Sequence, residues 1–540
     1  MAPDGTLTEP EIVTEALGGS PLSLAAQRGH VPEAWYAPRP ATVAQWRARA
    51  VEVAQRFNPE WLARLEPAIR PSGSAGERLR RVAAARGIVV TSGQQPGLFG
   101  GPAYTFSKAL SARALADQLE RQTGIPVAPV FWAATDDADF GEASQTTIAI
   151  DGELVRLALQ SAPPPGTPMD AVPLGDVGTE LAHLERACGS AAFGTALDAV
   201  RGAYRVEATI GEAFVALLRA LLEPLGIAIL DASHPLVRAE GAPVLRKAAA
   251  RASVIADALR SRASELRAAG FTPQVVDVEE LSVVFSLRDG RRRRLRIDEA
   301  SALAAAGDPE PLSPNVLLRP IVERAILPTV AYAAGPAELA YFAQVSAVAD
   351  ALDTERPLAV PRWSGTIIEP HVGRILRRLG ARHTDLRDAH ALEGKVARAH
   401  LPATVPSALA RVRDAIDRAA AALERDADAA ALVPAAVVSG AKGSLLARLG
   451  RLERRYAAAA KRRHDELFRD IATARAQLYP NGKRQERVLN FIPMLARHGW
   501  PLLDAMREEA DAHAATLVSG SGEAVATPPD RLPAHGRTRA

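Results

Sequence analysis

The sequence predicts an α/β fold with a doubly wound parallel sheet, two insertions in that core and a helical coiled coil after it. The β-branched run GIVVTSG from Gly87 is followed by an amphipathic helical pattern that ends at Gly124, and then by a buried-type strand, PVAPVFWAATDDAD. Strand, glycine-rich turn, helix and strand make the repeating unit of a parallel sheet. The same order returns where GEAFVALLRALLEPLG leads into IAILDASHP, which predicts a further strand of that sheet.

Length and composition exclude several classes of protein. A chain of 540 residues is longer than one hydrophobic core usually supports, so more than one packed unit is expected. The net charge of +3 argues against a nucleic-acid surface. Cys188 is the single cysteine, which excludes an internal disulfide and a cysteine-rich zinc site, and favours a reducing cytoplasm. Neither a secretory leader nor a membrane span is predicted.

Departures from the strand and helix alternation mark the two insertions. One mixes short alternating segments with the proline-rich SAPPPGTPMDAVP, and the other contains SVVFSLRDGRRRRLRID, which predicts a β-hairpin around Asp289 and Gly290. The predicted domains are a helical leader at 1–85, core segments at 86–145, 206–271 and 314–384, connective insertions at 146–205 and 272–313, a coiled coil at 385–480, a helical segment at 481–516 and a disordered tail at 517–540.

The four arginines Arg291–Arg294 of this hairpin allow two interpretations. They could bind an anion, but alternation along a strand would turn half of them to solvent. Charged residues also commonly protect an edge strand from pairing. We favour edge protection.

From about residue 385 the pattern is helical. Leu409, Val412, Ile416, Ala419 and Leu423 follow a 3-4 spacing, and the same spacing runs from Leu445 to Leu478. Two such stretches with a Gly- and Pro-containing connection predict an antiparallel helical hairpin. Its exposed apolar seam would suit a second copy of the chain, so a homodimer is expected.

The stretch TSGQQPGLFGGPAYTFSKA, residues 91–109, is the first candidate site. Its glycines would let backbone N–H groups approach an anion, and the helix that follows would add its positive end. The spacing fits neither GxGxxG nor GxxxxGK[ST], so no motif rule decides between a ligand loop and a structural turn. Lys108 could point to the ligand or to solvent. The candidate residues here are Gln94, Gln95, Gly97, Gly100, Gly101 and Lys108.

A second candidate lies at the acidic end of the next predicted strand, PVAPVFWAATDDAD. Asp136, Asp137 and Asp139 could bind Mg²⁺, orient an amine, or act as a general base if their repulsion raises a pKa. Equally, one of them could cap the next helix while the others face water. No histidine lies nearby, so no metal ligands are assigned.

A third candidate is SPNVLLRPIVERAILPTVAYAAGPAELAYFAQV. Arg319 follows an apolar run, and a helix opened by Gly335 and Pro336 carries Glu338 and Tyr341. An arginine in a fixed loop suits a carboxylate or a phosphate. The alternative is an internal ion pair. Both stay open.

Five segments, taken together and in this order, resemble the BshC family, the cysteine-adding enzymes of bacillithiol biosynthesis. They are TSGQQPGLFGGPAYTFSKA, PVFWAATDDADF, SPNVLLRPIVERAILPTVAYAAGPAELAYFAQV, VPRWSGTIIEP and LYPNGKRQERVLN, and the resemblance spans residues 85 to 505. It implies a Rossmann-like core similar to class I aminoacyl-tRNA synthetases, two connective insertions and a coiled coil that dimerises.

The resemblance also implies an activity. It is a ligase that joins cysteine to the amine of glucosaminyl-malate in an amide bond, with ATP activating the carboxylate and Mg²⁺ as one alternative for the acidic residues. On this basis the glycine-rich loop holds phosphate or carboxylate, Asp137 and Asp139 orient the amine or a metal, Lys108 matches the family's helix lysine, and Arg319 neutralises a carboxylate. The second, adenine-nucleotide pocket is assigned to Trp363, Ser364 and Asn490.

Two departures from the family pattern stand out. Ala138 occupies the place of the family's histidine, and Arg324 reverses the charge of a common aspartate. These departures favour the alternative function, a non-catalytic or repurposed homologue that binds a nucleotide or a sugar acid on the same scaffold.

Overall fold

The computed structural model of the chain describes residues 9–276, 280–307, 310–388 and 390–520. The chain divides into two units. The larger contains Ile12–Ile148, Val155–Ile367 and the chain from Glu486 onward, and the smaller contains Ile368–Gln485 with the short segment Ala149–Leu154 and the chain up to Glu11.

The elements follow the chain in an order that agrees with the predicted alternation. In sequence they are β1 (Glu11–Thr14), α1 (Pro21–Gln27), α2 (Val43–Arg56), α3 (Trp61–Ile69), α4 (Gly73–Ala84), β2 (Ile88–Gln94), α5 (Tyr104–Thr123), β3 (Val127–Ala133), α6 (Phe140–Ala143), β4 (Gln145–Ile150), β5 (Glu153–Ala158), α7 (Gly178–Cys188), α8 (Thr195–Ala203), α9 (Ile210–Leu222), β6 (Ala228–Asp231), α10 (Pro235–Ala250), α11 (Ala252–Ala268), β7 (Leu281–Arg288), β8 (Arg291–Arg296), α12 (Ile297–Ala306), β9 (Leu312–Pro314), α13 (Arg319–Ile326), β10 (Thr329–Ala334), α14 (Pro336–Ala351), β11 (Ala359–Pro361), β12 (Gly365–Ile368), α15 (Pro370–Leu379), α16 (Ala391–Ala399), α17 (Thr404–Arg425), α18 (Ala427–Leu432), α19 (Ala435–Arg463), α20 (Asp465–Leu478) and α21 (Ile492–Ser519).

The centre of the larger unit is a parallel sheet of five strands in the order β11-β10-β2-β3-β6. On one side of β2, the strands β3 and β6 follow in chain order. The later strands β10 and β11 lie on the other side of β2. The strand order therefore reverses between β2 and β10. This arrangement confirms the predicted α/β fold with a Rossmann-like sheet, and it makes the carboxyl ends of β2 and β10 the expected ligand crevice.

The strands β2 and β3 are buried on both faces, which is why they read as continuous apolar runs rather than alternating ones. The helix between them ends where Gly124 adopts φ 71°, a left-handed conformation that favours glycine. At the end of β2, Gly93 pairs with Trp132, and a Cβ at position 93 would lie 2.6 Å from the Trp132 carbonyl oxygen. Only glycine therefore fits there without a shift.

The predicted hairpin of the second insertion is present as β7 and β8. Asp289 and Gly290 both have positive φ, 52° and 70°, as the tight turn of a two-residue hairpin requires. The strand β9 joins the other side of β7, so β8 is an edge strand. The run Arg291–Arg294 thus lies on an edge, as expected, but only Arg291 and Arg293 are exposed.

The predicted helical hairpin is formed by α17 and α19 in the smaller unit. Arg413 lies near Glu453 and Asp417 near Lys442, so the partner number falls as the residue number rises and the two helices are antiparallel. The second helical stretch is not continuous to Leu478, because the helix breaks at His464 and α20 begins after it.

The C-terminal end of the chain is ordered further than predicted. The predicted disordered tail begins too early, because α21 continues to Ser519 and ends at Gly520. The rest of that tail, and residues 1–8 of the predicted leader, lie outside the described residues. Among the helices that are described, none combines the length and the apolar character that a bilayer crossing requires.

Candidate active site

A cavity of about 350 Å³ lies at the carboxyl ends of β2, β3 and β10 in the larger unit. The strand order of the sheet reverses at this point, and ligands of doubly wound sheets bind at such points. The polar and aromatic side chains that line it come from the core strands, the hairpin and the starts of two helices. They include Gln94, Gln95, Trp132, Asp136, Asp137, Phe285, Arg292, Arg294, Asn315, Arg319, Tyr332, Glu338 and Tyr341.

The hairpin contributes two arginines to this cavity. The guanidinium of Arg292 lies 4.1 Å from the centre of the Phe285 ring, donates to Ser313 Oγ at 3.0 Å and lies 3.7 Å from Asp137 Oδ1. Arg294 donates from Nε to the Ser282 carbonyl oxygen at 2.7 Å. Edge protection is therefore the wrong interpretation for these two of the four arginines. Alternation along β8 was the signal that could have placed them on one face.

Arg319 forms an internal ion pair and also lines the cavity. Its Nη1 donates to Glu323 Oε2 at 2.7 Å, and its guanidinium lies 5.0 Å from the centre of the Tyr332 ring, at the wall of the cavity. The internal ion pair thus orients a cation toward the ligand space. Burial raises the pKa of Glu323, while Arg319 and a hydrogen bond from Thr91 act in the opposite direction.

Arg324 points elsewhere. Its Nη2 donates to Glu355 Oε2 at 2.7 Å, and it lies 5.9 Å from the centre of the Phe57 ring. Adjacent helix positions face different directions, so Glu323 pairs with Arg319 while Arg324 turns away from that pair. Arg324 is not among the residues that line the cavity.

Lys108 does not point to solvent. Its Nζ donates to the Gly93 carbonyl oxygen at 2.8 Å, to Gln94 Oε1 at 2.9 Å and to Glu338 Oε1 at 2.9 Å. An ammonium group has three protons, so all of them are used within the protein. Lys108 is therefore a positioning residue that ties the end of β2 to α14, rather than a group that reaches the ligand.

Glu338 lies at the centre of this buried network. It accepts from Lys108, from Tyr332 Oη at 2.6 Å and from the Gly335 backbone N–H at 2.6 Å. Burial acts to raise the pKa of Glu338, but Lys108 and these hydrogen bonds outweigh it and hold the pKa below its usual range. Tyr332 was not predicted, and its only signal is its place two residues before the end of β10.

Gln94 and Gln95 line the cavity, but the glycines after them do not. The N–H of Gly100 donates to the Gly97 carbonyl oxygen at 3.0 Å, and that of Gly101 donates to the Leu98 carbonyl oxygen at 3.1 Å. Gly97 packs against Gly101, where a Cβ would lie 2.7 Å from the Gly101 Cα. The expected phosphate-binding role of Gly100 and Gly101 is corrected accordingly, because their N–H groups close a buried turn. Gly97 accepts one of these bonds with its carbonyl and does not line the cavity.

The side-chain amide of Asn490 binds the carbonyl groups of this turn. Its Nδ2 lies 2.9 Å from the Phe99 carbonyl oxygen, 3.2 Å from that of Gly101 and 3.2 Å from Thr146 Oγ1, while its Oδ1 accepts from the Ile492 N–H at 2.9 Å. The side chain is 2% exposed. Asn490 is thus committed to the protein interior, and the structure does not bring it to the cavity.

Replacing Asn490 with alanine is expected to lower the free energy of unfolding of the larger unit by about 2 kcal/mol, because several buried polar groups lose their partner. Asn490→Asp should cost more, since a carboxylate oxygen would face carbonyl oxygens. Tryptophan fluorescence in a urea titration reports this unit, because all six tryptophans lie in it. Gln122→Ala, which changes an exposed amide side chain on α5, is the control, and equal transitions for Asn490→Ala and wild type would contradict the assignment.

Trp363 and Ser364 are also interior residues, at 1% and 3% exposure. Trp363 Nε1 donates to Thr14 Oγ1 at 2.8 Å, and Ser364 Oγ donates to Glu486 Oε1 at 2.8 Å. The same Glu486 forms a two-pronged ion pair with Arg362, at 2.7 and 2.9 Å. The polarity of VPRWSG and QERVLN is explained by this buried pair, and Trp363, Ser364 and Asn490 do not line the cavity. Their nucleotide-binding role stays a prediction.

The acidic residues after β3 divide into two groups. Asp136 and Asp137 line the cavity, and burial raises the pKa of Asp136, with Asp137 adding to the shift and Arg292 opposing it. Asp139 is exposed and caps α6 by accepting from the Glu142 N–H at 3.0 Å. Of the alternatives weighed for these residues, helix capping therefore describes Asp139, and the structure leaves it outside the cavity.

Three further observations concern the acidic segment, metal binding and the cysteine. Asp137 Oδ1 accepts from the Ala138 N–H at 2.6 Å, so the backbone at Ala138 is held by the side chain of its neighbour. Within the described ranges, no group of three or more His, Cys, Asp or Glu residues is placed to hold a metal ion. Cys188 is buried, and burial raises the pKa of its thiol to about 11, in keeping with an unreactive cysteine.

Comparison with known proteins gives matches over nearly the whole chain. Residues 30–363 match the family model "Bacillithiol biosynthesis BshC, N-terminal Rossmann-like domain", and residues 365–517 match "Bacillithiol biosynthesis BshC, C-terminal coiled-coil domain". Over 497 residues the chain is 32% identical to a Solibacter usitatus protein named "Putative cysteine ligase BshC", covering 87% of this chain and 92% of that protein. A protein of the same name from Koribacter versatilis is 34% identical over 453 residues, or 80% and 83% of the two chains.

Proposed function

Because the chain belongs to the BshC family of bacillithiol biosynthesis, we propose that it is a ligase that joins cysteine to the amine of glucosaminyl-malate in an amide bond. In this proposal ATP activates the carboxyl group of cysteine. Relatives that carry the name cysteine ligase cover most of the chain, and this supports the assignment of the reaction class.

The observation that carries the proposal is the composition of one cavity. Three guanidinium groups, from Arg292, Arg294 and Arg319, line it together with the carboxylates of Asp136 and Asp137. Arginine suits carboxylate and phosphate groups, whereas a carboxylate suits an amine. A substrate with two carboxyl groups and an amino sugar matches both halves of this cavity.

Amide formation needs an unprotonated amine. The amine nitrogen forms a bond to the activated carbonyl carbon of cysteine, the bond from that carbon to its leaving oxygen breaks, and one amine proton must go to a base. Asp136 is the group proposed for this step, because its raised pKa makes it a stronger base than an ordinary aspartate. The guanidinium groups then stabilise the negative charge that develops on oxygen.

The donor set of the cavity also suits phosphate, since guanidinium groups bind phosphate oxygens in pairs. ATP, when bound, would supply the phosphoryl or adenylyl group that turns a carboxylate oxygen into a leaving group. Arg292 and Arg294 are the residues proposed to hold its phosphates, and Arg319 is proposed to hold a carboxylate of the substrate. The glycine turn adds no donors from Gly100 or Gly101 to this set, because their N–H groups are used within the turn.

The direct test mixes the purified protein with glucosaminyl-malate, cysteine and ATP, and follows bacillithiol together with ADP or AMP by mass spectrometry. Product that depends on all three substrates is the expected result. Binding of glucosaminyl-malate without product would favour the second candidate function, a non-catalytic homologue that holds a sugar acid. The methyl group of Ala138, which cannot transfer a proton where the family has a histidine, is the observation behind that candidate.

The coiled coil is proposed to form a homodimer. Large apolar side chains are exposed along α17 and α19, with Val412 at 47%, Leu445 at 49% and Leu452 at 45% exposure. Such residues at coiled-coil spacing normally pack against another helix.

We expect Leu445→Glu with Leu452→Glu to convert the protein from twice its chain mass of 57.2 kDa to the monomer mass, because two charges would have to be buried in the seam. Sedimentation velocity measures this directly. Val254→Glu is the matched control, since Val254 is 46% exposed on α11 of the larger unit. A wild-type protein that sediments as a monomer would contradict the proposed dimer.

A further inference from the structure

Asn315 presents a hydrogen-bond donor that the proposed reaction has not used. The residue lies between β9 and α13, lines the cavity and is 8% exposed. Its side-chain Oδ1 accepts from the backbone N–H groups of Leu317 and Leu318, both at 3.0 Å. Only the oxygen of an amide can accept from N–H donors, so the NH₂ group points away from this turn. The turn that begins α13 therefore fixes which way the amide faces.

The backbone of Asn315 is held as firmly as its side-chain oxygen. Its N–H donates to the Val283 carbonyl oxygen on β7 at 2.9 Å, and its own carbonyl oxygen accepts from the Arg319 N–H at 2.9 Å. The Nδ2 atom, in contrast, forms no hydrogen bond with any described residue, and it is not one of the unpartnered nitrogens that are sealed inside the protein. Asn490 shows the opposite arrangement, since its Nδ2 is taken up by carbonyl groups of the glycine turn. The NH₂ group of Asn315 is thus open toward the cavity that the residue lines.

An open amide N–H beside Arg319 suits a carboxylate. One helical turn of chain separates Asn315 from Arg319, and both residues line the cavity. Arg319 already gives Nη1 to Glu323, whereas a carboxylate has about four sites that accept hydrogen bonds. A carboxylate held by Arg319 therefore has room for a further donor, and the amide supplies it without adding a charge.

We propose that Asn315 is a substrate-binding residue whose Nδ2 donates to a carboxylate oxygen of the malyl group, so that the start of α13 holds the malyl half of glucosaminyl-malate. The carboxylates of Asp136 and Asp137, which line the same cavity, then face the amino sugar. That the ligand is glucosaminyl-malate rests on the proposed function, whereas the donor role rests on the open Nδ2 and its place in the cavity wall.

Asn315→Asp separates the donor from the structural role of this side chain. An aspartate oxygen can still accept from the N–H groups of the turn, but the ligand then meets a negatively charged oxygen in place of an N–H. The Kd for malate and for glucosaminyl-malate, measured by isothermal titration calorimetry, should rise about 100-fold or more, because like charges would meet. The Kd for glucosamine, which has no carboxylate, should keep its wild-type value.

Asn58→Asp is the matched control. The exposed Asn58 also accepts a backbone N–H with its Oδ1, from Glu60 at 2.9 Å, and it does not line the cavity. This variant adds the same charge and keeps the same kind of hydrogen bond, so the Kd for each of the three ligands should equal that of wild type.

Asn315→Ser tests the donor without a new charge. A serine hydroxyl can still accept from the turn, but the NH₂ group is gone, so the Kd for malate should rise about tenfold. Urea unfolding followed by tryptophan fluorescence should give nearly the wild-type midpoint for Asn315→Ser. Asn315→Ala, which also loses the acceptor of the turn, should unfold at a lower urea concentration.

The outcomes distinguish this inference from the proposed ligase. An unchanged Kd for malate and glucosaminyl-malate in Asn315→Asp, or an equal rise for glucosamine, overturns the inference. Wild-type protein that binds neither carboxylate ligand overturns it as well. Selective loss of malate binding in Asn315→Asp, with no amide product from the wild-type protein, leaves the inference standing and removes the proposed ligase. Amide product together with an unchanged Kd in Asn315→Asp does the reverse.

Discussion

Asp136→Asn is expected to lower kcat about 100-fold or more while the KM for glucosaminyl-malate changes little, because the variant lacks the base that receives the amine proton. Asparagine has nearly the same shape as aspartate, so the cavity keeps its form. Steady-state rates with saturating ATP and cysteine measure the effect. The exposed Asp176→Asn, which also keeps shape and removes a charge, is the control.

The pH dependence separates a base from a structural carboxylate. Burial raises the pKa of Asp136, so the wild-type rate should fall on the acid side at a higher pH than an ordinary aspartate would give. In Asp136→Asn that acidic limb should be absent from the remaining rate. Because a raised carboxyl pKa means that folding disfavours the ionised form, removal of the charge should not lower stability at pH 7. A variant with the wild-type rate, or with the same acidic limb, would exclude Asp136 as the base.

The second large effect is expected from Lys108→Met. This change leaves the carboxylate of Glu338, whose side chain is only 13% exposed, without its cation, which should lower the free energy of unfolding of the larger unit by about 3–5 kcal/mol. Turnover should fall about 100-fold as well, because the side chain of Gln94 and the end of β2 lose their anchor. Tryptophan fluorescence during urea unfolding gives the first quantity, and the product assay gives the second.

Two variants show whether the effect comes from the ion pair. Lys247→Met changes an exposed lysine on α10 and should shift neither quantity. The double variant Lys108→Met with Glu338→Gln removes both charges and should recover part of the lost stability, because no unpaired charge then remains buried. If the double variant is less stable than Lys108→Met by the full cost of Glu338→Gln alone, the two residues act independently and the network is not coupled.

Much of the fold could be predicted because it depends on local patterns. The strand β2, the helix α5 and the strand β3 follow from a β-branched run, an amphipathic period and a terminal glycine, all between Ile88 and Ala133. The hairpin around Asp289 and Gly290 follows from the turn preferences of two residues. The family could be recognised because five characteristic segments occur in the same order as in the family.

The site was only partly predictable, because the period of a strand gives two faces without saying which one meets a ligand. The pattern in Arg291–Arg294 contains both the exposed and the cavity-facing arginines, and only the tertiary packing, in which Arg292 contacts Phe285 on β7 and Ser313 on β9, decides between them. Likewise, the glycine turn has the composition of an anion loop. Asn490, nearly four hundred residues later, determines that its carbonyl groups face an amide.

The sequence by itself determined the parallel sheet, the β-hairpin, the helical hairpin and the family. Each of these depends on residues near one another in the chain or on the order of segments. Tertiary structure alone decided that Lys108 is a buried anchor, that Asp139 caps a helix while Asp136 lines the cavity, and that two of the four hairpin arginines line it as well. The physical reason is that burial and hydrogen bonding join residues such as Lys108 and Glu338, which are 230 positions apart and meet only after the sheet has formed.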